Sequence, residues 1–310
     1  MGLAFDTLDA PPSRTAPIGA LATREIDICD HDAVAAFLGA GIGYPKAYFD
    51  GLLGILRAKE SPTGYPRYGY LMQCGPRIVG AIILIFTAMR RDGQTRIRCH
   101  VTSWCVDKKY RPLGTGFFAR GINRPEVDYL NISARPAIAP IVEAQGFARY
   151  ASGQFVFAPL ANALRAGVPG GARILPWQSE PDAAFAAFER ELLIDHARYG
   201  CLSFWCVEGG RAYPFVFHER RFKDAIPGVQ LIYCQDVETL ARLAGPISRH
   251  LARRGKFVAS IDANGPVAGL SGKFFLGVEP RYFKGAQPRL GDLAYTQKAM
   301  RPFVKHAFPE

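Results

Sequence analysis

The sequence has no closely spaced cysteine pair and no long apolar run, and these two absences exclude several classes of protein. The seven cysteines are an odd number, and no two of them form a C-x-x-C pair. Most lie in strand-like stretches, which is typical of reduced, buried thiols rather than of a disulfide framework or a metal site. The longest apolar run covers residues 78–89, far below the ~20 residues needed to span a bilayer. We therefore expect a cytoplasmic protein with no metal and no membrane partner.

Acidic residues are also scarce relative to basic ones. The chain of 310 residues has 38 Lys and Arg against 27 Asp and Glu, which gives a formal net charge of +11. Such an excess favours an anionic partner, either a nucleotide-bearing cofactor, an acidic glycan or nucleic acid. Nucleic acid is the least favoured of these, because the sequence lacks zinc-ligand spacing, a recognition-helix pattern and a clustered basic-aromatic strand.

The order of predicted elements indicates a mixed α/β fold built from two similar halves. The first half begins with a strand-like stretch at 22–28, and each half then has a helical region, an antiparallel hairpin, a further strand, and alternating helix and strand. A stretch rich in glycine and proline interrupts any periodicity between the halves. The second half also contains the strand-like stretch GDLAYT. The predicted organisation is a flexible lead-in at 1–20, a first domain at 21–162, a linker at 163–176 and a second domain at 177–310.

A glycine-containing turn follows a predicted strand over residues 94–106. The stretch VDKKYRPLGTGFF joins the end of this strand to a short helix through basic residues, Gly114 and Gly116. Glycines at this spacing let the backbone curl so that several N–H groups point into one concavity, and the helix dipole adds positive potential. A bound phosphate gains charge-assisted hydrogen bonds there, and Arg111 adds a salt bridge. The stretch therefore predicts a phosphate-binding loop.

The loop and the elements around it resemble the GNAT superfamily of acyl-coenzyme A (acyl-CoA) acyltransferases. Residues 106–116 satisfy the R-x-x-G-x-G core of the family signature, and a strand and a helix ending in EAQGF follow, as in many members. The resemblance covers roughly residues 20–160. It implies a tandem GNAT-like fold and acetyl-CoA as co-substrate, with the loop amides on the pyrophosphate and the preceding strand on the pantetheine arm. The implied cofactor-binding residues are Cys105, Val106, Arg111, Leu113, Gly114, Thr115, Gly116 and Phe117.

Departures from the family pattern leave the proton-transfer groups open. Pro112 replaces a frequent glycine and has no N–H to donate. Many relatives have a tyrosine that acts as general acid four residues before the terminal glycine of the motif, where this chain has Val142. The thiolate then leaves as such, is protonated by water, or receives its proton from another residue. His100 is the candidate general base, since it lies on the appropriate strand and its ordinary pKa suits the role. The alternative is a strand histidine with a purely structural role.

The second half is predicted to lack a cofactor site of its own. At its corresponding strand-to-helix junction there is no glycine, and Asp236 and Glu238 occupy the place where a phosphate would bind. One intact and one degenerate unit resemble the N-myristoyltransferase and Fem-type architectures, in which the acceptor lies across both units. By that analogy we expect second-half residues to line the acceptor groove, among them Trp205, Tyr213, His218, Tyr233, Lys273, Tyr282 and Lys284.

Three functions are compatible with these observations. The favoured one is an N-acetyltransferase that transfers acetyl from acetyl-CoA to an amine by direct attack in a ternary complex. A non-catalytic acyl-CoA-binding or scaffold protein is the second, because the general acid is missing. Fem-like aminoacyl transfer from charged tRNA is the third. The acceptor is left open as a small molecule, or an amine on a glycan or peptide.

Overall fold

In the part of the chain that the structure describes, a mixed sheet of twelve strands organises the fold, and helices flank it on both faces. The structure is a computed structural model that describes residues 21–91, 94–134, 136–165 and 171–300. The predicted lead-in at 1–20 lies outside these residues. Elements of the first half are β1 (Leu21–Glu25), α1 (His31–Ile42), α2 (Lys46–Ala58), β2 (Gly69–Cys74), β3 (Arg77–Arg91), β4 (Gln94–Val106), α3 (Gly114–Gly121), β5 (Val127–Asn131), α4 (Ala139–Ala144), β6 (Ala148–Phe157) and α5 (Pro159–Arg165).

The second half repeats this order with fewer helices. Its strand β10 pairs in parallel with β11, as β4 pairs in parallel with β5. The remaining neighbours within each half pair antiparallel, and β2–β3, β3–β4, β8–β9 and β9–β10 are hairpins. Elements of the second half are β7 (Arg173–Pro176), α6 (Ala187–Arg198), β8 (Leu202–Glu208), β9 (Arg211–Phe222), β10 (Ile226–Tyr233), α7 (Val237–Arg242), α8 (Ala244–Arg253), β11 (Val258–Ala263) and β12 (Gly272–Lys284).

Strand β3 is apolar throughout its middle because helices cover both of its faces. Ala81, Ile83 and Ile85 pack with α1 and α2 on one face. Ile82 and Leu84 point to the other face and pack with α3 and α4. A strand that is covered on both faces needs such a continuous apolar run. The second half has the same arrangement, with α6 on one face of its strands and α7 and α8 on the other.

The two halves are joined by an exchange of strands at the centre of the sheet. The strand order is β1-β2-β3-β4-β5-β12-β6-β11-β10-β9-β8-β7. The last strand, β12, therefore lies between β5 and β6 of the first half, and β6 pairs with β11 of the second half. The division into two domains stays a prediction, and each half contributes a strand to the other.

Two local predictions are corrected by the structure. The predicted linker at 163–176 starts inside α5 and ends in β7, which pairs with β8, while residues 166–170 lie outside the described part. The stretch GDLAYT is not a strand, and only an isolated bridge joins Asp292 to Tyr233. Residues 290–300, which we name the crossing segment, form turns over the central strands with Leu293, Ala294 and Ala299 buried.

Candidate functional site

Strands β4 and β5 pair over a short length and then part. Their parallel pairing runs from Ile97 with Val127 to His100 with Leu130. Beyond His100, β4 continues to Val106 with β3 as its partner in the described part of the chain. The register of β3 and β4 shifts here, and Ser103 has a φ of 52°. Over residues 101–106, β4 therefore has no second strand partner among the described residues, and residues 103–106 are half-buried.

This open edge ends in the glycine-containing turn. A 3-10 helix over Lys108–Leu113 runs directly into α3, and the N–H of Gly114 donates to the carbonyl of Arg111. Asp107 caps the turn by accepting from the Lys109 N–H at 3.1 Å, and its carboxylate also pairs with Arg77 at 2.5 Å. The amide of Gly114 is thus already used within the turn. The other amides of the first turn of α3 remain the candidates for an anion.

Neither glycine is required by its backbone conformation. The prediction that Gly114 and Gly116 are needed to curl the backbone is therefore wrong. Gly114 has a φ of −58°, an ordinary helical value, and a Cβ there would lie 3.4 Å from the Trp104 ring. Gly116 is also helical and is exposed, and a Cβ there would meet nothing within 4 Å. Glycine at position 116 therefore leaves the start of α3 uncovered, so that a ligand can approach the backbone closely.

The other predicted cofactor-binding residues divide into an exposed and a buried group. Arg111, Leu113 and Thr115 are exposed around the start of α3. Phe117 lies on α3 and its side chain is buried in the core, so this side chain is not available to a ligand. Cys105 and Val106 are half-buried on opposite faces of β4.

Cys105 packs tightly against α1. A Cβ at Gly41 would lie 2.2 Å from the Cys105 sulfur, so glycine at position 41 makes room for the thiol. Burial raises the pKa of the Cys105 thiol, and the charge of Arg111 only partly opposes this. A nucleophilic role needs a thiolate, and this environment disfavours it.

His100 is fully buried, and its placement does not suit the general-base role predicted from the sequence. Its Nδ1 accepts a hydrogen bond from the backbone N–H of Gln297 at 3.0 Å, which leaves the proton of the neutral ring on Nε2. Burial, together with the charge of Arg281, lowers the pKa of His100 to about 3. A base must present a free lone pair to the acceptor, and here that lone pair is already bonded.

The crossing segment completes this region, and sequence reasoning missed it. The side chain of Gln297 accepts from the Thr102 hydroxyl and donates to the Tyr48 hydroxyl. Arg98 makes a two-bond ion pair with Asp292, with both distances at 2.9 Å. These contacts tie β4 and α2 to a segment that lies 194 to 249 residues further along the chain, and no local motif signals them.

Several of the remaining predicted positions are core residues. Val142 is fully buried, so the position of the family tyrosine is part of the core. Trp205, Tyr233 and Tyr282, which were expected to line the acceptor groove, are also core residues.

The second strand-to-helix junction holds a carboxylate. Asp236 caps α7 by accepting from the Thr239 N–H at 2.5 Å. The helix start is thereby satisfied within the chain.

A second polar cluster lies where β10 and β11 part. It contains Arg220, Gln230, Glu279, Arg281 and Lys298, which come from three strands and the crossing segment. Across the described ranges, no group of three or more His, Cys, Asp or Glu residues could hold a metal ion. None of the helices in these ranges is both long and apolar enough to cross a membrane.

Comparisons with known proteins agree on the architecture. No protein-family model and no curated protein matches the sequence. A GCN5-related N-acetyltransferase from Anabaena variabilis has a similar structure, with a TM-score of 0.57 and 8% identity over 85% of this chain and 72% of that chain. Another, from Kribbella flavida, has a TM-score of 0.50 and 13% identity over 86% of this chain and 71% of that chain. The chain therefore has the mixed α/β fold of the GCN5-related N-acetyltransferases.

Proposed function

We propose that the protein is an acyl-CoA-dependent acyltransferase that transfers acetyl from acetyl-CoA to an amine by direct attack in a ternary complex. The observation that carries this proposal is the continuous path from the open edge of β4 to the uncovered start of α3. An extended chain fits the first part of this path, and a pyrophosphate fits the second. The exposed Lys108, Lys109 and Arg111 beside the turn supply positive charge for the phosphates.

Each part of the path has a defined role in this proposal. The backbone of residues 101–106 pairs with the pantetheine arm, and the amides of Thr115 and Gly116 bind the pyrophosphate. Acetyl-CoA supplies an acyl group on a thiolate of modest basicity, which an amine can displace directly. The crossing segment and α2 cover the region beside His100 and Thr102 and limit the access of water. We assign no protein acid to the departing thiolate, because Val142 is a core residue.

A titration with acetyl-CoA and CoA tests the proposal through Gly116→Glu. The new carboxylate would occupy the space above the start of α3 and repel the pyrophosphate, so we expect affinity to fall at least tenfold, about 1.4 kcal/mol. Gly54→Glu is the matched control, because Gly54 is also helical and exposed and a Cβ there would meet nothing within 4 Å. Equal affinity in both variants would contradict the proposed site.

A non-catalytic acyl-CoA-binding protein is the second candidate. It is favoured by the bonded Nδ1 of His100 and the apolar Val142, which leave two family roles unfilled. Thiol release from acetyl-CoA in the presence of an amine, abolished by Gly116→Glu, would exclude it. Saturable acetyl-CoA binding with no turnover of any amine tested would favour it.

A further inference from the structure

The place where β10 and β11 part corresponds to the place where β4 and β5 part. The parallel pairing of β10 and β11 ends at Gln230 with Ser260, just as that of β4 and β5 ends at His100 with Leu130. The first half has a basic turn and an open helix start beyond its divergence. In the second half, the helix start that follows the divergence of β10 and β11 is capped by Asp236. The charged cluster lies at this divergence.

The cluster surrounds one carboxylate with cations. Glu279 accepts from Arg281 at 2.7 Å, from Arg220 at 3.4 Å, from the Gln154 amide at 3.3 Å, and from Lys298. Although burial opposes it, Lys298 and Arg281 hold the pKa of Glu279 well below its usual range. Glu279 is thus an ionised carboxylate with donors on several sides.

Two of the three cations depend on Glu279 to balance their positive charge. Arg281 has a second partner, since Asp262 accepts from it at 2.9 and 3.1 Å and both side chains are buried. Besides Glu279, Arg220 and Lys298 both donate to the amide oxygen of Gln230, at 3.2 and 3.0 Å, and Arg220 also lies over the Phe222 ring. Without Glu279 these two cations would face one another across a neutral amide.

Glu279 is held by a segment that leaves the sheet. The pairing of β12 with β6 is interrupted between Leu276 and Arg281, and Gly277 and Glu279 have φ values of 77° and 49°. Leu276 is 75% exposed, and the Glu279 side chain itself is 33% exposed. The carboxylate is therefore at the surface end of the cluster, where a ligand from solvent can replace it.

Unpaired donors remain inside the cluster. Gln230 is 1% exposed, and its Nε2 has no hydrogen-bond partner among the described residues. The neighbouring Ser260 is fully buried, and its hydroxyl is likewise unpaired within the described ranges. A buried amide donor without a partner costs free energy, so this part of the cluster is incomplete as it stands.

The cluster also adjoins the candidate acyl site. Arg281 donates to the carbonyl of Ile132, the residue that follows β5, and its charge contributes to the lowered pKa of His100. Strands β12, β6 and β11 separate β5 from β10 in the sheet, and the crossing segment links the two places, because Lys298 follows Gln297, whose N–H donates to His100 at the last pair of β4 and β5.

We propose that Lys298 and Arg220 form a carboxylate-binding site, filled in this structure by Glu279, for an acceptor amine that carries a carboxylate. As a description of the acceptor, this inference rests on the proposed function. Two cations and the Gln230 amide suit a single carboxylate group. A free amino acid combines this group with the attacking nitrogen in one small molecule. Glu279 then swings outward with its segment and closes the site again after release.

Binding is measured without CoA, using free α-amino acids, each paired with its primary amide. We expect at least one amino acid to bind the wild-type protein at least tenfold more tightly than its amide. Lys298→Met should abolish this preference. Lys256→Met is the matched control, because Lys256 is also a lysine in an ion pair, with Glu219 of β9 at 2.8 Å, and is not part of the cluster. Glu279→Gln, a change at a part-exposed position, removes the competing carboxylate and should tighten amino-acid binding severalfold.

The outcomes separate this inference from the proposed function. Amino acids that bind no better than their amides, or no better to Glu279→Gln than to wild type, would overturn the carboxylate site. If the protein binds acetyl-CoA and acetylates amines equally well with or without a carboxylate, the proposed function stands and the carboxylate site is overturned. Carboxylate-selective binding in a protein that does not bind CoA would support the site and remove the acetyl-transfer role.

Discussion

Two buried histidines accept hydrogen bonds from the backbone of the same crossing segment. His100 accepts from the N–H of Gln297, and His196 accepts at Nε2 from the N–H of Tyr295 at 3.1 Å. The Nδ1–H of His196 donates to the carbonyl of Leu192 at 2.7 Å. Both rings must be neutral to accept these bonds. The crossing segment is therefore fixed by groups that acid would protonate.

The protein should lose stability as the pH falls below the ordinary histidine range. Burial lowers the pKa of His196 from 6.5 to about 4. Between these values the unfolded chain binds a proton that the folded chain does not, so stability falls with decreasing pH by up to about 1.4 kcal/mol per unit for this residue. Urea unfolding across this range should show a shallower dependence in His196→Gln than in wild type. Equal slopes would contradict the neutral, buried assignment of His196.

At the scale of elements, Gly153 allows β6 to pair on both sides. It lies opposite Leu276 of β12 and Ala263 of β11. A Cβ at this position would lie 2.1 Å from the carbonyl oxygen of Phe275, so no side chain fits without movement of the backbone. The close approach of β6 and β12 depends on this glycine.

Gly153→Ala should therefore loosen the centre of the sheet. We expect a loss of about 1–3 kcal/mol in the free energy of unfolding, because the added methyl group forces β12 away from β6. Gly265→Ala is the matched control, since a Cβ there would meet nothing within 4 Å and its φ is not positive. Urea unfolding of both variants measures the difference. Equal stability of the two would mean that β12 is not seated against β6 as described.

Local patterns in the sequence were sufficient for many of the elements. The prediction of a strand at 94–106 matches β4, and the helix after the glycine turn matches α3. Local patterns failed where contacts with distant parts of the chain determine the local structure. The stretch GDLAYT was predicted as a strand, but it forms turns in which the consecutive residues Leu293 and Ala294 are both buried against other elements. The position of β12 between β5 and β6 is a long-range pairing that no local periodicity encodes.

The candidate site was predictable only where it is local in sequence. The turn at residues 106–116 is one continuous motif, and it was found. The cluster around Glu279 draws its residues from β9, β10, β12 and the crossing segment, so no spacing in the sequence connects them. The burial of His100 likewise depends on residues nearly two hundred positions away.

At the scale of the whole molecule, the exchanged strands should make the two halves unfold together. Strand β12 lies within the first half and β6 pairs with the second, so neither half keeps its sheet if the other unfolds. Variants that retain only Trp104 or only Trp205 report on the first and second halves respectively. In each variant, the urea transition monitored by fluorescence should coincide with the transition monitored by far-UV circular dichroism, which reports on the whole chain. Two separate midpoints would support the independent domains predicted from the sequence.

The central claim is that the open edge of β4 and the start of α3 form an acyl-CoA site. Isothermal titration of the full chain with acetyl-CoA, alongside Gly116→Glu and Gly54→Glu, tests it most directly. We predict saturable binding to the wild type and to Gly54→Glu, and a loss of at least tenfold in Gly116→Glu. A wild-type chain that does not bind acetyl-CoA, or a Gly116→Glu variant that binds it as well as the control does, would contradict the claim.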